Sequence, residues 1–236
     1  MPNNDHISRQ FDAELEAIRA NVLQMGGLVE SQIKSAIESL LSGDTALMSR
    51  VIADDHRVNA LEVKIDENCS QVIARRQPTA GDLRLIMAVV KTITDLERIG
   101  DEAEKIARMA KLLSQKSELV IPRYHEIKHA SEIALEMLRK SLDAFARLDV
   151  AMAAQVVRMD DQVDEEFRAI MRYLITFMME DPRTISTSLE ILFIAKAIER
   201  IGDHAKNMSE YVIYMVKGRD VRHITVDEIE REVQQN

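Results

Sequence analysis

The 236-residue chain is 46% hydrophobic, enough for a sizeable core, and its net charge of −9 excludes a dedicated nucleic-acid binder, because neutralising phosphates needs a basic face. Cys69 is its only cysteine, which excludes an intrachain disulfide and fits a reducing compartment. The polar start from Met1 to Phe11 lacks the apolar core of a signal peptide, and no apolar run reaches the ~20 residues of a membrane span, so a cytoplasmic location is expected.

Taken in chain order, breaks at Ser42-Gly43-Asp44, Gln77-Pro78 to Gly81, Ser117 to Pro122, Arg147 to Asp149, Asp181-Pro182 and Gly218 separate segments of helical apolar period. They predict six long helices, about 7–41, 45–76, 82–116, 122–146, 150–180 and 183–217. Asp44 and Asp149 suit N-caps, Pro122 and Pro182 a first helical turn, and Gly218 a C-terminal stop. In the third segment Ile86, Val89, Ile93, Leu96, Gly100, Ala103, Ala107 and Ala110 form one buried stripe. Few aromatics and 13 methionines agree with helix-on-helix packing, and no strand pattern competes. The expected fold is all-α, as two tandem antiparallel three-helix bundles over residues 1–118 and 119–220. A charged tail over 221–236 reads as a short frayed helix.

The duplication rests on a pentapeptide. Glu97-Arg98-Ile99-Gly100-Asp101 recurs letter for letter as Glu199-Arg200-Ile201-Gly202-Asp203, 102 residues later, and Pro78 matches Pro182. Each copy stacks two carboxylates four residues apart on one helix face. Antiparallel helices joined by a tight turn align residues equally far from that turn. In the second half Asp164 and Glu199 lie 17.5 positions from the turn, and Asp160 and Asp203 lie 21.5. In the first half Asn59 and Glu97 are both 19 from Pro78, while Asp55 and Asp101 are both 23. Each bundle thus presents facing pairs beside its apolar seam, accessible and mutually repelling. A bound cation relieves that repulsion, and the oxygen donors suit magnesium, calcium, manganese, iron or zinc without choosing among them. The alternative is a solvated acidic face paired with Arg98, Arg200 or neighbouring lysines.

Other features carry less. Arg98 and Arg200 are placed for local ion pairs three residues on, or for gripping an anion held by the metal. Gly100 and Gly202 suggest close helix approach, and Gly26-Gly27 a bend in the first helix. His204 follows Asp203, yet its first-half counterpart is Glu102, which favours a surface or interfacial histidine over a ligand. Glu126-Ile127-Lys128-His129 supplies one Glu-x-x-His where a ferritin-like di-iron bundle needs two. Lys217, Arg219, Arg222 and His223 read as favourable charge at a helix C-terminus.

The duplicated motif, together with Gln77-Pro78-Thr79-Ala80-Gly81-Asp82-Leu83-Arg84, Asp95-Leu96 and His204-Ala205, resembles the PhoU family over about Phe11 to His223. That resemblance implies a cytoplasmic bacterial homodimer that is not an enzyme and negatively regulates phosphate uptake and the phosphate-starvation response. It implies contact with the phosphate transporter ATPase PstB and the sensor kinase PhoR, and with the membrane only through them. It also implies metal clusters at acid-x-x-x-acid motifs, here Glu97 with Asp101, Glu199 with Asp203 and Asp160 with Asp164. The remaining slot holds Asp55 with Asn59, a neutral and weaker ligand, for which Glu62 is a substitute one heptad from Asp55. The tighter site is therefore expected at Glu199 and Asp203. Two other readings compete: a carboxylate-bridged metalloenzyme, and a metal-free helical scaffold.

Overall fold

The helical period of the sequence is realised almost throughout the computed structural model, which describes residues 9–115, 124–222 and 224–234. The Ser117–Pro122 linker and His223 lie outside the described residues. The helices are α1 (Arg9–Ser42), α2 (Thr45–Asp54), α3 (His56–Arg76), α4 (Ala80–Ser114), α5 (Tyr124–Arg147), α6 (Val150–Glu180), α7 (Ile185–Lys217) and α8 (Val226–Gln234). No strand occurs among the described residues.

The turns follow the local chemistry. Asp44 and Asp149 each accept two backbone N–H bonds from the helix they begin, so the first turn of each half is built alike. The residue before each cap is left-handed, Gly43 in one half and Leu148 in the other. Gln77, also left-handed, closes α3 ahead of Pro78. Pro182 opens a 3₁₀ turn that leads into α7, and Gly218 ends α7 with φ at 72°.

α1 to α4 form one bundle and α5 to α7 the other. The two are fused along α4 and α7, whose pairing is the most extensive in the molecule, so that a single apolar core runs through both. The α4 stripe from Ile86 to Ala110 is buried as its spacing predicts. α8 packs against α6 with Ile229 buried, which ties the charged tail to the second bundle.

One expectation needs correction. The predicted helix over 45–76 is two helices, α2 and α3, interrupted at Asp55. Its dihedrals there remain helical (φ −56°, ψ −37°), but the ladder is broken. The His56 ring Nδ1 lies 2.6 Å from the Ala53 carbonyl, which an unbroken helix gives to the amide four residues on. α1 runs continuously through Gly26-Gly27. A Cβ at Gly26 would lie 2.5 Å from Leu142 Cδ2 of α5, so this glycine serves close contact between the first helices of the two bundles.

Candidate functional site

α4 and α7 run in opposite directions across each other, which brings the two copies of the pentapeptide together at the centre of the molecule. Arg200 Nη1 donates to Glu102 Oε1 at 2.8 Å. His204 Nδ1 lies 2.7 Å from Asp95 Oδ1, and Asn207 Nδ2 donates to the same oxygen at 3.3 Å. Asp95 is only 3% exposed, so the seam between the bundles holds a buried polar cluster. His204 is interfacial, as expected. Arg200, in contrast, forms its ion pair across the bundles rather than three residues along its own helix. Arg98, the matching arginine, faces a half in which Glu102 is replaced by His204, and it makes no hydrogen bond or ion-pair contact. A cleft of about 670 Å³ opens over this seam, and both Asp101 and Asp203 line it.

In the first half, Asp55 turns inward to 8% exposure. Its Oδ1 accepts from Gln32 Nε2 at 2.9 Å and its Oδ2 from Asn59 Nδ2 at 3.1 Å. Both amides thereby leave an oxygen, Gln32 Oε1 and Asn59 Oδ1, buried and without a hydrogen bond. Gly100 is what admits this arrangement: a Cβ there would lie 3.3 Å from Gln32 Oε1 and 3.4 Å from Asp55 Oδ1. Across the helix pair, Glu97 and Asp101 have no hydrogen bond or ion-pair contact. Burial first, and then Asp101, Glu62 and Asp55, raise the Glu97 carboxyl above its ordinary range. Burial and then Asp55 do the same to Asp101. Glu62 joins the group, held weakly by Thr94 Oγ1 at 3.4 Å and likewise raised by burial.

The second half has the same scaffold and different electrostatics. Lys206 Nζ donates to Asp160 Oδ2 at 2.6 Å, Arg168 to Asp164 Oδ2 at 2.8 Å, and Lys196 to Glu199 Oε1. Asp164 is turned to its own helix. Asp203 keeps no such contact and is raised to about 6, by burial first and then by Glu199 and Asp160, with Lys196 and Lys206 pulling the other way. Gly202 is less crowded than Gly100, its Cβ position lying 3.5 Å from Val163 and 3.6 Å from Met137 Sδ.

The structure thus gathers Asp55, Asn59, Glu97 and Asp101 in one place, and Asp160, Glu199 and Asp203 in another. Among the described residues no three carboxylate, histidine or cysteine side chains already converge as a metal shell. Charge and donor type fit a hard cation in the first half, where Glu97 and Asp101 form no ion pair, Arg98 only partly offsets Glu62 and Glu97, and two amide oxygens lack donors. In the second half lysines already occupy that role. Reading the motif alone missed those lysines, although the signal was present: Lys196 and Lys206 stand one turn either side of the second motif, where the first has Thr94 and Glu104. Gln32, on a separate helix, gave no such signal.

The matches to known proteins follow the same two halves. The model of the PhoU domain family matches residues 22–110 and 127–212. The chain is 48% identical over 232 residues to the phosphate-specific transport system accessory protein PhoU homolog of Pseudomonas aeruginosa, covering 98% of this chain and 95% of that one. It is 49% identical over 228 residues to the phosphate-specific transport system accessory protein PhoU of Escherichia coli K12, covering 97% and 94%. Among solved structures, the crystal structure of PhoU from Pseudomonas aeruginosa superposes with a TM-score of 0.85 at 47% identity, over 89% of this chain and all of that one. The phosphate transport system regulatory protein PhoU from Streptococcus pneumoniae gives 0.83 at 27% identity, over 89% and 99%. With both halves matched and nearly the whole length covered at this identity, the chain belongs to the PhoU family.

Proposed function

We propose that the protein is a non-enzymatic, cytoplasmic regulator of a phosphate-specific transport system and a negative regulator of the phosphate-starvation response. It acts as a homodimer through contact with the transporter ATPase PstB and the sensor kinase PhoR. The observation that carries this reading is near full-length similarity, in both halves, to proteins named as accessory to phosphate transport. No helix among the described residues is long and apolar enough to cross a membrane, which agrees with membrane contact through partners.

A divalent cation fits the reading at the first acidic cluster, where Asp55, Glu62, Glu97 and Asp101 with the free Asn59 oxygen would hold it. Bound there, it would offset the mutual repulsion and present an open position to an oxygen of a partner. The second cluster, with its lysines in place, supports the metal-free alternative on its own side. Purified PstB and PhoR, each offered to the immobilised full chain, test the function: retention of both is expected, and retention of neither sinks the reading. Light scattering checks the dimer.

A further inference from the structure

The first bundle contains a second polar site. Where α2 gives way to α3, a pocket of about 180 Å³ lies between these helices and α1. That is below the roughly 300 Å³ at which pockets begin to take drug-sized molecules, so it suits one small group. Its polar lining is Ser31, Gln32, Ser35, Arg50, Asp54 and Arg57, over an apolar floor. Arg50 and Arg57 make no hydrogen bond or ion-pair contact, and neither do Ser31 and Ser35. Asp54 stands four residues after Arg50 and three before Arg57, yet pairs with neither. Gln32 is fixed in the wall by its bond to Asp55. Two guanidinium groups against one carboxylate leave a net positive pocket on a chain of charge −9.

The duplicated half supplies an internal contrast. With Asp44 matched to Asp149 and Asp55 to Asp160, Arg50 and Arg57 correspond to Gln155 and Gln162, and Asp54 to Met159. Gln32 likewise corresponds to Met137, and the two occupy equivalent places beside Gly100 and Gly202. The pair of guanidinium groups is thus confined to the first half, while the second carries Lys140 where the first has Ser35. Two planar guanidinium donors with serine hydroxyls beside them are the donor set that tetrahedral oxyanions favour.

We propose that this pocket binds a single tetrahedral oxyanion of the phosphate class through Arg50 and Arg57. The site is separate from the acidic cluster and needs no cation. Inorganic phosphate is titrated calorimetrically into the full-length chain, with and without chelator, and phenyl phosphate is titrated in a parallel arm. Saturable binding of one phosphate per chain is expected, unchanged by chelator. Arg50→Gln with Arg57→Gln, which installs the second-half residues, weakens it by about tenfold or more, as loss of hydrogen bonds between charged groups requires. Asp54→Asn tightens it. Phenyl phosphate binding as well as the free ion assigns the pocket to an esterified phosphoryl group, and its exclusion assigns it to free phosphate. Both arginines are exposed, so the double variant should keep its fold, which circular dichroism checks. No saturable binding, binding indifferent to the double substitution, or binding lost on chelation overturns the proposal.

Discussion

The two halves share a scaffold and differ in what stands beside it. Gly100 and Gly202, the capped first turns and the register of the facing helices are common to both. Thr94, Glu104 and Glu102 in the first half are Lys196, Lys206 and His204 in the second. Those exchanges leave the facing acids of one cluster without ion-paired bases and furnish the other with internal counter-ions. Duplication therefore preserved the facing of the long helices, which many core contacts enforce together, while single side-chain substitutions changed the local charge. The half that looks richer in acids by sequence is the half whose charge is already balanced. We propose that this balance, rather than the number of acids, ranks the two clusters for a cation.

The largest effect that could break this contrast is in cation retention. Glu97→Gln with Asp101→Asn should abolish bound divalent metal, read by elemental analysis after mild dialysis, from an expected level of about one ion per chain. Asp160→Asn with Asp203→Asn should leave that level nearly unchanged. The opposite ranking would restore the second cluster as the principal site.

Next in size is the seam. Asp95 corresponds to Ala197, so the polar link between the bundles is one-sided. Asp95→Ala should destabilise by about 3 kcal/mol in denaturant unfolding, because it leaves His204 and Asn207 facing a buried site without their acceptor. An effect no larger than that of an exposed acid would show that the seam is not structural.

The glycines sharpen the comparison further. Gly100→Ala must displace Gln32 and Asp55, which hold each other, and should lower stability by about 1 kcal/mol through overpacking. Gly202→Ala meets ordinary contact distances and should stabilise by about 0.5–1 kcal/mol through helix propensity. Thermal melts of the two variants decide whether the halves differ in crowding as well as in charge.

The smallest effect is in pH. Asp203 titrates at about 6 in the fold, above the ordinary value of 3.8. A raised carboxyl favours the folded state when protonated, so its contribution is full below about pH 4 and lost as pH rises through about 6. In chelator-treated protein, Asp203→Asn should therefore match the parent near pH 3.5 and melt about 2–4 °C higher near pH 7.5. A constant difference across that range would mean that Asp203 is not strained.

The nearness of Asp55 to Glu97 and Asp101, and of Asp160 to Asp203, was legible from turn distances, because register along an antiparallel hairpin follows from rise per residue and turn position. Glu62, one heptad from Asp55, could be reached the same way. Asp164 could not be: its turn toward Arg168 is a choice between neighbours on one helix that spacing does not make. Gln32, on α1, and Arg200's partner Glu102, in the other bundle, were hidden for a different reason, since nothing in the local sequence says which helix will lie beside them.

The sequence by itself determined the helices, their caps and turns, the duplication and the heights of the acids, all of which follow from periodicities and contacts within a few residues or across one hairpin. Tertiary structure decided the break between α2 and α3, the meeting of the two motifs across α4 and α7, and the balance of charge in each cluster. Those outcomes depend on side chains brought together from separate helices, where burial and the nearest base or amide, and not the motif, set the state of each carboxylate.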